Sequence, residues 1–402
     1  MAEPRTLNRW LVLACGAAIL ALAMGTRHSF GLFLQPISNA HGWGRDVFAF
    51  AIALQNLVWG VSQPLSGMIA DRFGAGRVVV TGAVLYVIGL VAMAYAHTPL
   101  ALALSAGLLV GLGLSGTTFS VILGVVGRVM PEASRSMAMG VCSAIASFGQ
   151  FAFLPIAFSF IGSMGWASTL LAFSGIAALV VPLSAAMRER PNPGGPAFSA
   201  TEAFREALGH RGFWLLCFGF FVCGFQILFI GTHIPAFLVD RGLPLSTGTT
   251  VLALIGLFNI GGTYIAGWWG GRARKPALLS GIYLARGVVI ALFLLAPVTT
   301  ASAYAFAVGM GLLWLSTVPL TNGTVASVFG VSSLSMLGGF VFLFHQVGAF
   351  LGGWLGGVLY DRRGSYDLVW MISIALSVFA ALINLPIREE AVPRLRAAVN
   401  PA

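Results

Sequence analysis

Five ionisable side chains lie well inside long apolar stretches of this sequence: Arg27, His28, His233, Arg286 and His345. None is a carboxylate. The chain around them is 58% hydrophobic and 8% charged, and a charge at the centre of a bilayer costs about 2.5–3.5 kcal/mol on insertion scales. All twelve Asp and Glu fall at the ends of the apolar stretches, in loops or in tails, so the cations have no evident partner in the chain. A guanidinium offers a planar fork that matches a carboxylate at two points, at roughly twice the strength of a neutral hydrogen bond. An unperturbed imidazole titrates at about 6.5. Together these groups are equipped to hold a small organic anion and to take up a proton with it, each stabilising the other.

The elements that position them are membrane helices. Apolar stretches of about 20 residues cross a hydrocarbon core of about 30 Å, and the pattern predicts twelve, over 10–34, 46–70, 78–96, 100–127, 136–160, 165–187, 212–238, 248–270, 276–297, 300–327, 333–358 and 366–387. Lys and Arg concentrate on alternate loops: with the N-terminus inside, Arg5, Arg9, Arg72, Arg77, Arg128, Arg135, Arg188, Arg190 and the basic residues after them at 205, 211, 272–275 and 388–396 are cytoplasmic. Arg45, Arg241, Arg362 and Arg363 are then outside. Both termini are therefore expected in the cytoplasm, and the setting expected is a bacterial inner membrane. The net charge of +10 is explained by this bias and by anionic lipid, without nucleic acid. Cys15, Cys142, Cys217 and Cys223 fall inside spans as small apolar residues. No metal site or cofactor is expected, and the expected assembly is a monomer.

The chain divides at residues 188–211, where Pro and Gly preclude regular structure until Ser199 and Glu202 take the spacing of a helix capping box. The expected domains are a six-helix bundle over 1–187, a cytoplasmic linker over 188–211, and a second six-helix bundle over 212–402 with a cytoplasmic tail. The halves align on their own residues: Gly67 to Arg72 with Gly267 to Arg272, Gly25-Thr26-Arg27-His28 with Gly231-Thr232-His233, and Phe148-Gly149-Gln150 with Phe344-His345-Gln346. Internal repeats of this kind accompany a substrate site near the midplane, between the halves. On this alignment His28 and His233 face one another.

The segment Gly67-Met-Ile-Ala-Asp71-Arg72-Phe-Gly74-Ala-Gly-Arg77 resembles the loop signature after helix 2 in the major facilitator superfamily, and with twelve spans and a central linker the resemblance covers essentially the whole chain. It implies an all-α polytopic fold in two pseudo-symmetric bundles, with alternating access and with Gly67, Asp71, Arg72, Gly74 and Arg77 latching one state. Gly271 stands where the first copy has Asp71, which weakens any second latch. Ser29 to Leu34, Arg128 to Gly140 and Gly357 to Tyr366 are similar to monocarboxylate transporters and their bacterial relatives. In these a helix 1 lysine takes part in proton and substrate binding, and Arg27 or His28 falls near that place. The strict helix 1 signature of the animal members and their helix 8 arginine are absent. The helix 4 arginine and helix 5 Gly-Pro of drug antiporters are absent too.

The resemblance implies that helices 1, 4, 7 and 10 line the cavity. The candidate substrate-binding residues are Arg27, His28, Gln150, His233, Tyr283, Arg286, Asn322, His345 and Gln346, with His28 and His233 as proton carriers. The expected activity is transport of a small organic anion, a monocarboxylate, with protons; the competing reading is an anion exchanger or an exporter of amphiphiles. An enzyme is excluded on chemistry: the chain has no activated serine motif, no paired carboxylates, no His-x-x-x-His and no nucleotide-binding loop ending in Lys.

Overall fold

A computed structural model describes residues 8–43, 45–188 and 200–395. Its spanning helices are α1 (Arg9–His28), α2 (Arg45–Phe73), α3 (Ala75–Ala94), α4 (Pro99–Val129), α5 and α6 (together Glu132–Met187), α7 (Arg211–Asp240), α8 (Leu245–Gly270), α9 (Lys275–Leu295), α10 (Thr300–Phe329), α11 (Leu334–Arg363) and α12 (Asp367–Asn384). α5 and α6 run into one another across Gly165, whose φ of 81° and ψ of 166° break the helix. Ten helices among the described residues are long and apolar enough to cross a membrane; dividing one at Gly165 and adding the 29-residue α2 gives the twelve that the apolar pattern predicts. A surface helix, Ala200–Gly209, precedes α7. The rest of the expected linker, including its cap Ser199, lies outside the described residues.

Three helices that meet the centre of the bundle are not continuous. α1 ends at His28 and passes through a tight 3-10 segment, Ser29–Phe33, into a short helix, Leu34–His41. α4 is interrupted at Thr118, which is extended (φ −116°, ψ −166°), and α10 between Leu313 and Thr317. Each break frees backbone groups that lipid cannot satisfy, so a break is stable only where protein or a water-filled cavity covers it. Asn259 of α8 does this for α10: its Oδ1 accepts from the Leu315 amide at 2.9 Å, while its Nδ2 donates to Ser147 Oγ of α5 at 2.8 Å. Thr118 Oγ1 donates to Leu114 O at 2.6 Å and accepts from Trp59 Nε1 at 3.0 Å.

The halves meet along two seams, α2 with α11 and α5 with α8. Both are tight because they meet at glycine. Gly67 lies against the Ser335 carbonyl, and a methyl on Gly339 would sit 2.7 Å from Gln63 O. On the other seam a methyl on Gly140 would sit 2.7 Å from the Gly267 Cα. The segment after α12 folds back on the same end: Val392 donates to Val328 O at 3.0 Å, Glu389 holds Lys275 at 2.9 Å, and Arg394 meets Glu206 of the surface helix at 3.0 Å.

Gly140→Val forces bulk into the α5–α8 seam, which should cost about 1–3 kcal/mol. The expected result is a lower unfolding temperature in detergent; an unchanged temperature would mean that the seam yields freely.

Candidate functional site

The seams close the bundle at the end that carries Asp71. That carboxylate takes Arg128 Nη1 at 2.5 Å, the Met336 amide at 2.8 Å and the Ser335 amide at 3.3 Å. Ser335 and Met336 lie in the first turn of α11. Asp71, from the first half, thus caps a helix of the second, where the free amides and the positive end of the helix dipole favour an anion. Arg128 ties the same corner to Val331 O at 3.4 Å. Arg72 takes no part in this corner and stacks on Phe73, 5.1 Å from its centroid; Arg77 is exposed, and Gly74 supplies the turn with φ of 93°. In the matching corner Gly271 lies near Ala133 O of α5, with no carboxylate to cap it. Among the described residues, the charged contact between the halves stands at the α2–α11 corner.

Above this floor is a cavity of about 840 Å³, counting space open to solvent, between the halves. Its polar wall holds Arg27, His28, Asn56, Ser120, Asn322, His345 and Gln346. Arg27 Nη2 donates to Asn56 Oδ1 at 3.0 Å, and its Nε is buried with no partner among the described residues. Gln346 Nε2 reaches across to Asn56 O at 3.3 Å, and its Oε1 faces His345 Nδ1 at 3.3 Å. The result is a polar line, Arg27–Asn56–Gln346–His345, across the α2–α11 seam. Asn322 gives its Nδ2 to Val318 O and leaves Oδ1 without a partner. The remaining wall is apolar, with Trp59, Phe119, Phe220, Trp314 and Phe342 prominent. Phe342 stacks on His345 with centroids 5.3 Å apart and planes 8° apart.

Five of the residues singled out from sequence therefore share the cavity: Arg27, His28, Asn322, His345 and Gln346. Four others are placed elsewhere. Arg286 is fully buried behind the wall, not on it. It donates to Leu313 O at 2.7 Å, to Trp314 O and to Gln226 Oε1 at 3.3 Å, and so holds the carbonyls freed by the break in α10. Tyr283 packs beside it, with the guanidinium 5.4 Å from its ring centroid. His233 bonds Gly353 O at 2.9 Å and faces Tyr366 Oη at 3.3 Å, which engages both ring nitrogens away from the cavity. Gln150 follows Gly149, which packs on Ala21 of α1, and is not on the cavity wall.

The misplacement of His233 has a definite origin. Gly149 packs on Ala21 and Gly348 on Phe221; Gly25 meets Phe153 and Gly352 meets Phe225. This packing register relates Arg27 and His28 to Ile227 and Leu228, both on the cavity wall. The sequence match of Gly-Thr-Arg-His to Gly-Thr-His is thus slipped by more than a turn. Cations line the first half and aliphatic residues their counterparts in the second. Missed altogether were Asn56, Asn259 and the wall phenylalanines Phe119, Phe220 and Phe342; the amides Gln55, Asn56 and Gln63 inside one apolar span were the available signal.

A family model described as the Major Facilitator Superfamily matches residues 13–337. The chain belongs to this superfamily of transporters. It is 24% identical over 399 residues to the uncharacterized MFS-type transporter YcxA of Bacillus subtilis, covering 94% of both chains. It is 27% identical over 391 residues to human monocarboxylate transporter 11, covering 94% of this chain and 82% of that one. Among solved structures, the transporter FucP in the outward conformation superposes with a TM-score of 0.75 at 13% identity, covering 94% of this chain and 99% of that one; this likeness shows the fold. The chain is accordingly a multi-pass membrane transporter and not an enzyme.

Asp71→Asn keeps the shape of the latch and removes its charge. It should weaken the closed seam by about 1–2 kcal/mol, the scale of a part-buried ion pair at a helix N-terminus. Spin labels at Arg77 and Ser332 should then show a longer-distance population growing roughly 5- to 30-fold; an unchanged distribution would remove the latch role.

Proposed function

We propose that this chain is a secondary active transporter that moves a small monocarboxylate together with a proton by alternating access, in a bacterial inner membrane. One observation carries the reading: a guanidinium on the wall of a central cavity, Arg27, has among the described residues one hydrogen-bond partner and a buried Nε with none. A carboxylate supplies the missing acceptors and charge in one group. Arg27, the one permanent cation on the wall among the described residues, suits one carboxylate, and the apolar wall suits a carbon skeleton without a second charge. Similarity to monocarboxylate transporters supports the same class.

The basic residues Arg72, Arg77, Arg128, Arg135, Arg188, Arg272, Arg274 and Lys275 surround the sealed end, while Arg241, Arg362 and Arg363 stand at the other. The positive-inside rule then makes the Asp71 end cytoplasmic, with both termini there. The state described is closed to the cytoplasm, and substrate reaches Arg27 from outside. Residues 1–187 and 212–402 act as the two rocking bodies, joined by 188–211. The proton rides on a cavity histidine, since no carboxylate lines the wall among the described residues.

In proteoliposomes, an inward proton gradient should accelerate uptake of labelled lactate, pyruvate or benzoate. Uptake unaffected by the gradient but driven by internal anion would instead identify an exchanger. Arg27→Gln should weaken anion binding about 100-fold, as loss of one partner of a desolvated charge pair does, with Arg27→Lys intermediate. A thermal-shift response to anions that survives Arg27→Gln would take Arg27 out of the site.

A further inference from the structure

Directly behind the cavity wall lies a group of side chains for which the binding of an anion at Arg27 has no use. Arg286 is wholly buried, and an arginine stays charged in proteins. Its recorded acceptors are two backbone carbonyls, an amide oxygen and the Cys223 sulfur, at 3.6 Å from Nη2. Carbonyl and amide oxygens solvate a cation but do not neutralise it, and a buried cation left unneutralised is costly. Of the ionisable groups beside it, the Cys223 thiol and the Tyr283 phenol, the thiol is intrinsically the more acidic, and thiols beside Arg or His ionise readily.

Cys223 has two more partners. Thr317 Oγ1, at the break in α10, is 3.2 Å from its sulfur, and His345 is its neighbour across the α7–α11 contact. The contact with His345 follows from packing: Gly224, the next residue, lies against the His345 carbonyl, and Phe220, one turn earlier, packs on the His345 ring with centroids 4.8 Å apart. His345 in turn lines the cavity. A continuous path therefore runs from the cavity through His345 and Cys223 to Arg286. The groups facing the thiol from neighbouring helices are His345 of α11, Arg286 and Tyr283 of α9, and Thr317 of α10; none is a carboxylate.

We propose that Cys223 and His345, held against Arg286, form the proton-binding site of the transporter. The proposal rests on the proton-coupled reading above and assigns its proton. Without the proton the cluster holds a guanidinium, a thiolate and a neutral imidazole, with no net charge. One proton from the cavity adds to the His345 ring as a new N–H bond. The cluster becomes singly positive on the side chain that lines the cavity, and the thiolate remains paired with Arg286. An incoming carboxylate then meets positive charge from Arg27 and from His345, at the two ends of the Asn56–Gln346 bridge. Anion affinity rises as the site is protonated, and departure of the anion releases the proton. His28 is a poorer carrier: its neighbour is Arg27, no hydrogen bond engages its ring among the described residues, and a second positive charge there is repelled by the first.

The test follows proton uptake with a pH dye when lactate, pyruvate or benzoate is added to the reconstituted transporter. Wild type should take up one proton per anion. His345→Gln should lower that ratio to zero, because a glutamine does not titrate, and Cys223→Ser should lower it, because a neutral serine leaves the charge of Arg286 to oppose a proton on His345. If both variants keep the wild-type ratio, or if His28→Gln alone abolishes it, the assignment is overturned. A second readout needs no substrate and separates this inference from the reading beneath it. In the infrared spectrum at neutral pH, Cys223→Ser should remove no S–H stretching band, since Cys223 is a thiolate. Loss of a band would show a neutral thiol and overturn the proposal. Wild type that moves anions without protons, yet passes the infrared test, would refute symport while leaving the thiolate–guanidinium pair standing.

Discussion

A guanidinium has five N–H donors in a rigid fork, and at the centre of this bundle Arg27 is given one hydrogen-bond acceptor among the described residues, Asn56 Oδ1. Much of the cavity is organised around that shortfall. The break after His28 turns the chain where α1 would otherwise continue, and α4 and α10 are interrupted beside the same space. Gln346 then carries the polar line to the other half through Asn56 O. A site that stays incomplete until a ligand enters ties occupancy to the relation between the halves, which is what a carrier requires.

Arg286 shows the opposite solution to the same problem. It is as deep in the sequence pattern as Arg27, but the structure supplies it with acceptors from the broken end of α10 and from Gln226. One arginine is finished by the protein and the other is not. Depth in an apolar stretch marks both, and the number of acceptors, which separates them, depends on which helices pack together.

The architecture was legible in the sequence because its signals are local. Apolar length gave the helices, and Gly67 to Arg77 gave the family. Arg27, His28 and His345 were also legible, since a charged or titratable group in lipid is expensive wherever it faces. The pairing of the halves was not: Gly-Thr-Arg-His and Gly-Thr-His look alike, yet the register is set by where glycines allow backbones to touch, as at Gly149 with Ala21 and Gly348 with Phe221. Nor was the work of Asn259 visible, because the amide it satisfies, Leu315, is freed only by a break that has no glycine or proline at Leu313 to Ser316.

The two seams look equivalent in outline but differ in what holds them. Asp71 fastens α2 to the first turn of α11 with charge, whereas α8 and α5, with Gly271 in the matching corner, are joined by close packing and the neutral Asn259–Ser147 hydrogen bond. For bodies that rock against each other, the more strongly fastened edge serves as the hinge and the weaker one parts first. A symmetric scaffold would then swing like a door, and cargo leaving the cavity would pass along the α5–α8 edge. The loops on the α2–α11 side would govern the timing of that swing without ever meeting what passes through.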